Sequence, residues 1–259
     1  MSILPLGRHP QAPARRGASL RLVLALVIII PLALILGSLA GLAIGRASAP
    51  PTSYRAQRLA EISADLRRVD GDYLLAAGDS HVVRWHARAF CGLPVVNAGV
   101  DGATAADTDE MLAGLALPRP PRAIILTVGT NDANKKRFRD EPEAVIRFSQ
   151  AFRPLLRRLS HKSGLVVVTG VPAMDDRQVV GFSAQAAVGI GAAAEASCRA
   201  SASCRVAGSF SPDDVLTDGQ HLADYERAFA RIEPTLCAAL AGKRPPSPAA
   251  SQNADAGAP

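Results

Sequence analysis

Short apolar runs separated by helix-length segments narrow what this chain can fold into more than any other feature. Runs at 73–77, 94–97, 123–128 and 165–169 are bounded by glycine, proline or polar residues. Three of them pair valines or isoleucines with apolar neighbours on both sides, the pattern of strands covered on both faces. Between and after them, helical periodicity is expected near 81–89, 104–116, 143–161 and 222–240. In the last, Tyr225, Phe229, Ile232, Leu236 and Leu240 recur at three- and four-residue steps and define a core-facing stripe. Strand and helix in alternation predict a parallel sheet flanked by helices. The stretch from 56 to 241 is enough for one such domain with its own core.

An open parallel sheet places ligands beyond the carboxyl ends of its strands. The residues that follow each run therefore deserve first inspection. After the first comes Gly78-Asp79-Ser80-His81, and after the second Asn97-Ala98-Gly99-Val100-Asp101-Gly102. The third is followed by Gly129-Thr130-Asn131-Asp132, and Asp218-Gly219-Gln220-His221 stands just before the last helix. By itself Gly-Asp-Ser also fits an ordinary turn, with the serine capping a helix. Taken together, the four segments supply a hydroxyl, backbone amides, a carboxamide and an Asp/His pair.

Acyl transfer needs this inventory. A serine hydroxyl is a weak nucleophile until a histidine takes its proton, and the imidazole needs an acceptor to fix its tautomer. The charge that develops on the substrate carbonyl needs aimed donors. The expected roles are Ser80 as nucleophile, His221 as base and then acid, and Asp218 as orienting carboxylate. The oxyanion hole is expected from the backbone amides of Ser80 and Gly99 and the side-chain amide of Asn131. Asp214 is a rival to Asp218, disfavoured by its spacing to His221.

In these blocks the chain resembles the SGNH, or GDSL-type, serine hydrolases. Gly78-Asp79-Ser80 is similar to the family's nucleophile block, and Asn97-Ala98-Gly99 with Gly102-Ala103-Thr104 to its glycine block. Gly129-Thr130-Asn131-Asp132 resembles the asparagine block, and Asp218-Gly219-Gln220-His221-Leu222 the closing Asp-x-x-His block. The resemblance covers roughly 74–240. It implies a flavodoxin-like three-layer α/β/α fold and a serine esterase or deacylase acting on O-acyl esters, with short chains such as acetyl favoured. Acyl transfer to an envelope glycan, lysophospholipase or thioesterase activity, and a non-catalytic envelope-binding module are the alternatives. No cofactor and no metal are expected. His81 departs from the Leu or Ile that often follows the serine, a variant resembling membrane-linked members and domains attached to acyltransferases of exported glycans. It is expected to shape the pocket rather than act as a second base. Trp85 and His86 are read as packing residues, and Asp175, Asp176 and Asp213 as loop carboxylates. The 174–210 stretch lacks clean periodicity apart from an Ala-rich segment near 183–200, and is expected to shape the acyl or alcohol pocket.

The N-terminal part bears on compartment. Residues 22–44 form an apolar run of 23 residues without a charge, long enough to span a bilayer as one helix. Arg8, Arg15, Arg16 and Arg21 precede it with no acidic residue, which predicts a cytoplasmic N-terminus (1–21) and an exported domain. A cleaved signal peptide ending near Ala47-Ser48-Ala49 is the competing reading. Residues 45–55 read as a tether and 242–259 as a disordered tail. The net charge of +6 includes the four topology arginines. The short basic groups elsewhere lack interleaved aromatics, so nucleic acid is excluded as a partner. The expected partners are an acyl-ester substrate, a glycan or lipid of the envelope, and the membrane itself. Cys91, Cys198, Cys204 and Cys237 allow three pairings or none, and suit an oxidising compartment. The family fold would put the first and last helices on one face of the sheet. That implies Cys91 with Cys237 and Cys198 with Cys204.

Overall fold

The structure, a computed structural model, describes residues 53–242. The expected span at 22–44, its flanking arginines, most of the tether and the tail lie outside the described residues. Among the described residues no helix is long and apolar enough to cross a membrane.

Six strands form one sheet: β1 (Leu74–Gly78), β2 (Ala89–Phe90), β3 (Leu93–Gly99), β4 (Ala123–Thr127), β5 (Val166–Val168) and β6 (Cys204–Val206). Their order is β2-β3-β1-β4-β5-β6, parallel throughout except for the short β2, which pairs antiparallel with β3. Both faces are covered, and the side-chain period of two decides which residue serves which face. Leu75, Ala77, Ile124, Leu126, Val166 and Val168 join one core with α1 (Tyr54–Arg68), α3 (Ala105–Gly114), α4 (Glu141–Ser163) and α5 (Ala184–Arg199). Leu74, Ala76, Ile125 and Val167 join the other, with α2 (Ser80–Val83), α6 (Tyr225–Ala230) and α7 (Glu233–Gly242). The result is the expected three-layer α/β arrangement.

Several boundaries differ from expectation. The helix expected at 81–89 is a single turn, α2, after which the chain enters the β2–β3 hairpin. Its two-residue turn is Cys91-Gly92, with φ 49° and 72°. Positive φ at both central residues matches the right-handed twist of the flanking strands. Cys91 therefore lies in a hairpin turn and does not close a helix. The helix expected at 222–240 is two helices, because Pro234, near the start of α7, lacks an N–H and its ring crowds the carbonyl four residues back. The apolar stripe survives the break: Tyr225, Phe229, Ile232, Leu236 and Leu240 are all buried. The Ala-rich segment becomes α5, whose Ala186, Ala187, Ile190 and Ala194 pack inward. Two elements add to the expected set: α1, whose buried stripe is only Ile62 and Leu66, and the three-residue β6.

Both disulfides form: Cys91–Cys237 with Cα atoms 5.4 Å apart, and Cys198–Cys204 with 5.2 Å. The first ties the β2–β3 turn to α7. The second links α5 to β6.

Candidate active site

Strand order reverses between β1 and β4: the chain leaves β1 for β3 on one side and returns to β4 on the other. Ligands of such sheets bind in the crevice at this switch point. Ser80 stands at the end of β1 and Asn131 just past the end of β4. Gly78, with φ 150°, makes the turn possible, since a Cβ there would lie 1.9 Å from the Thr127 carbonyl oxygen. The helix cap is Asp79, whose carboxylate accepts from the His81 N–H at 3.0 Å, so Ser80 is the first residue of α2 and its hydroxyl is not spent on capping.

Ser80 Oγ lies 3.0 Å from His221 Nε2, across 141 residues of sequence. His221 Nδ1 is 2.6 Å from Asp218 Oδ2, and Asp218 Oδ1 accepts from the backbone N–H of His221 at 2.8 Å and of Gln220 at 3.2 Å. The three-residue spacing thus lets one carboxylate hold both the ring and the backbone of the same histidine. Burial pushes the Asp218 carboxyl up, but the hydrogen bonds from His221 and Gln220 outweigh it and hold the pKa at about 2. Asp218 is therefore ionised at neutral pH. Ser80 and His221 are buried, 5% and 9% exposed, which leaves the hydroxyl and the imidazole little contact with bulk water. Asp214 is not near this pair in function: both its oxygens bind the Arg231 guanidinium, at 2.5 and 2.8 Å.

The expected oxyanion donors divide. The Ser80 N–H opens a helix and has no intrahelical acceptor. The Asn131 amide gives one hydrogen to the Ala103 carbonyl at 3.1 Å, which fixes the side chain and leaves its second N–H. Gly99 does not fit. Its N–H donates to Asn97 Oδ1 at 3.0 Å, its carbonyl accepts from Arg58 Nε, and a Cβ there would lie 2.5 Å from the Val83 nitrogen. Gly99 is glycine so that α2 can press against β3. The exposed Gly102, with φ 75°, is the residue of this loop whose N–H meets no acceptor among the described residues.

Two supporting residues were missed in the sequence. Asn97 donates to the Val82 and Trp85 carbonyls at 2.6 and 2.7 Å, closing the C-terminal end of α2. Arg58 on α1 binds the Asn97 carbonyl and side-chain oxygens at 2.9 and 3.1 Å. Asn97 was legible only as part of its glycine block, and nothing local marks Arg58. Asp132 accepts from the Ala105 N–H at 3.0 Å, tying the asparagine segment to the start of α3; burial raises its pKa to about 6.

A cavity of about 560 Å³ lies between α4 and α5 beside Arg153, Arg157 and His161 and includes none of the candidate catalytic residues. A second, about 460 Å³, also without a candidate catalytic residue in its wall, is formed by Thr169, Met174, Ala187, Gly191, Phe210 and Pro212, beyond the carboxyl ends of β5 and β6. The Phe210 ring is 5.8 Å from that of His81, which in turn is 5.5 Å from that of His221. The 174–210 stretch thus supplies walls of a hollow adjoining the site. Among the described residues one group has the spacing of metal ligands, Cys91, Glu233 and Cys237, but its two sulfurs are bonded to each other and offer no thiolate.

No protein-family model and no curated protein matches the chain. Solved structures do. One is a Streptococcus pneumonia protein described provisionally as a platelet activating factor, with TM-score 0.60 and 16% identity over 76% of this chain and 99% of its own. Another is a lipase/acylhydrolase from Enterococcus faecalis, with TM-score 0.55 and 17% identity over 65% and 97%. The fold is shared with these proteins. At such identities the likeness speaks for the fold alone, and the chemistry rests on the site.

Proposed function

We propose that the protein is a serine ester hydrolase that cleaves O-acyl esters through an acyl-enzyme, with Ser80, His221 and Asp218 as its triad. The observation that carries this reading is the unbroken chain of contacts from Ser80 Oγ to His221 Nε2 at 3.0 Å and from His221 Nδ1 to Asp218 at 2.6 Å. Ser80 Oγ attacks the ester carbonyl as its proton passes to His221 Nε2. The ionised Asp218 holds the ring with Nδ1–H and stabilises the imidazolium. The tetrahedral oxyanion is met by the N–H groups of Ser80 and Gly102 and by the free N–H of Asn131, with Gly102 in the place first expected for Gly99. The imidazolium then protonates the leaving alcohol, the C–O bond breaks, and water repeats the sequence to release the acid.

The cavity beside Phe210 favours an acyl or alcohol group larger than acetyl, since its walls are mostly apolar and its volume of about 460 Å³ far exceeds what an acetyl group fills. A series of p-nitrophenyl esters from acetyl to dodecanoyl checks this. A rate maximum at acetyl would return the reading to short-chain deacylation, with glycan acetyl esters as the substrate class. The apolar run at 22–44 and the arginines before it would keep the enzyme at a membrane with its domain exported, a reading supported by the two disulfides. Protease digestion of intact and permeabilised cells tests that side.

The central test is covalent labelling with a fluorophosphonate and mapping of the modified residue. Labelling at Ser80, lost in Ser80→Ala and in His221→Ala, is the expected result. Unchanged ester cleavage by Ser80→Ala refutes the assignment.

A further inference from the structure

His81 follows the candidate nucleophile directly, yet it takes no part in the proton path. It is wholly buried, and its Nδ1 lies 3.1 Å from the Tyr225 hydroxyl. That hydroxyl also accepts from the backbone N–H of Leu222 at 3.2 Å. Leu222 follows His221 just as His81 follows Ser80. A single phenol oxygen therefore joins the two chain segments that carry nucleophile and base, one residue away from each.

We propose that His81 and Tyr225 form a brace that sets the distance and orientation between Ser80 and His221, making both of them positioning residues. The inference rests on the ester-hydrolase reading above. The Ser80–His221 contact is made by two rotatable side chains on elements 141 residues apart, and neither β1 nor the turn at 218–221 fixes the other. The turn has its own local bonds, from Thr217 N–H to the His221 carbonyl at 2.8 Å and from Ala223 N–H to the Val215 carbonyl at 2.9 Å. These shape the turn but do not attach it to α2. The Trp85–Phe229 stack at 4.2 Å and the His86 N–H to Glu226 join the residues after α2 to α6, and the brace adds a hydrogen-bonded tie one residue from each reacting side chain. An error of about 1 Å between reacting groups costs on the order of a hundredfold in rate, so a tie next to the reacting side chains has leverage that distant packing lacks.

The hydrogen-bond directions are consistent. With the Leu222 N–H donating to the Tyr225 oxygen, the phenol hydrogen is left to donate to His81 Nδ1, and the imidazole proton stays on Nε2. Burial first, then the neighbouring His221 and Arg84, lowers the His81 pKa to about 3, so the ring remains the neutral acceptor the brace requires. His81 Nε2 is buried and has no partner among the described residues, which argues against a second base in contact with substrate. Phe210 and Tyr225 flank the ring at 5.8 Å, and α6 begins at Tyr225 with Asp224 as its cap.

The test compares Tyr225→Phe, His81→Leu, His81→Asn and the double variant His81→Leu/Tyr225→Phe in the full chain. The readouts are the rate constant of fluorophosphonate labelling at Ser80, and kcat and KM on a short p-nitrophenyl ester. A labelling rate constant counts only folded molecules, so reduced stability does not mimic the effect. Tyr225→Phe and His81→Leu are each expected to lower kcat and labelling about tenfold with KM within about twofold, and the double variant to be no worse than either, as for residues acting as one unit. His81→Asn, whose amide oxygen can stand where Nδ1 stood, is expected within about threefold of the parent. Parent-like rates in Tyr225→Phe overturn the brace, as do losses that multiply in the double variant. An Asn variant as poor as the Leu variant also overturns it, because the imidazole itself would then be needed. Should His81→Leu not fold, Tyr225→Phe and His81→Asn decide alone. A parent that is not labelled at Ser80 defeats the hydrolase reading and the brace with it; a labelled parent with equally labelled variants defeats the brace alone.

Discussion

Asp79 and His81 flank Ser80, both fully buried, and their titrations oppose each other. Burial, with the nearby Asp132 and Asp101 carboxylates adding to it, raises the Asp79 pKa from 3.8 to about 7, despite the His81 N–H bond that lowers it. The folded state thus prefers neutral Asp79: that stability is present below pH 3.8 and lost as pH rises through 7. His81 falls from 6.5 to about 3, so its contribution is present above pH 6.5 and lost as pH falls towards 3. Between about pH 4 and 6.5 the two slopes offset. Asp79→Asn, which keeps an oxygen for the His81 N–H, should unmask the histidine slope, with Tm rising across that interval, and should exceed the parent in Tm above pH 7. His81→Asn should show the reverse slope. Thermal melts across pH check both, and profiles parallel to the parent's would refute the pair. Asn131→Ala should lower kcat roughly a hundredfold, since it removes one oxyanion donor of about 3 kcal/mol, and should lower Tm modestly through the lost bond to the Ala103 carbonyl. These residues stood out in the sequence because of their types and places. Gly102 was also in view, but Gly99 was preferred, because sequence does not reveal that an Asn97 side chain already occupies the Gly99 amide.

The nucleophile turn depends on how closely α2 and β3 approach. Gly99→Ala would set a Cβ 2.5 Å from the Val83 nitrogen. It should therefore displace α2 and Ser80 together, costing stability and labelling rate in parallel, as overpacking of about 1–3 kcal/mol does. A Gly99→Ala variant with the parent's Tm and labelling rate would refute this close approach of α2 and β3. Element boundaries were least legible where one residue overrides a long pattern. Pro234 splits an apolar stripe that is continuous by periodicity, and Cys91-Gly92 turns back a chain that could have stayed helical. The first helix escaped notice because only Ile62 and Leu66 of its face are buried, and its service to the site, through Arg58, is a long-range contact.

Across the whole molecule, the Cys91–Cys237 bond joins positions 146 apart and nearly closes the domain on itself, whereas Cys198–Cys204 spans only 6. Loop-closure entropy predicts the larger loss on removing the first, up to about 5 kcal/mol against about 2 for the second. Cys91→Ser/Cys237→Ser should therefore melt well below Cys198→Ser/Cys204→Ser, measured by calorimetry without reductant. Equal Tm values would argue that the folded sheet, and not loop length, sets the cost. The alternation of short apolar runs with helix-length segments determined by itself that this chain builds a parallel sheet covered on both faces, because strands apolar on both sides must be buried on both and the intervening helices supply the cover. Residue type and position, after a strand for Ser80 and Asn131 and before the last helices for Asp218 and His221, likewise determined these four as candidates. Only the tertiary structure decided which groups were already engaged. Gly99 proved occupied, Asp214 proved paired with Arg231, and His81 proved linked through Tyr225 to the segment bearing His221. Each is a hydrogen bond or ion pair between residues distant in sequence, and local pattern carries no information about partners that meet only when the sheet has formed.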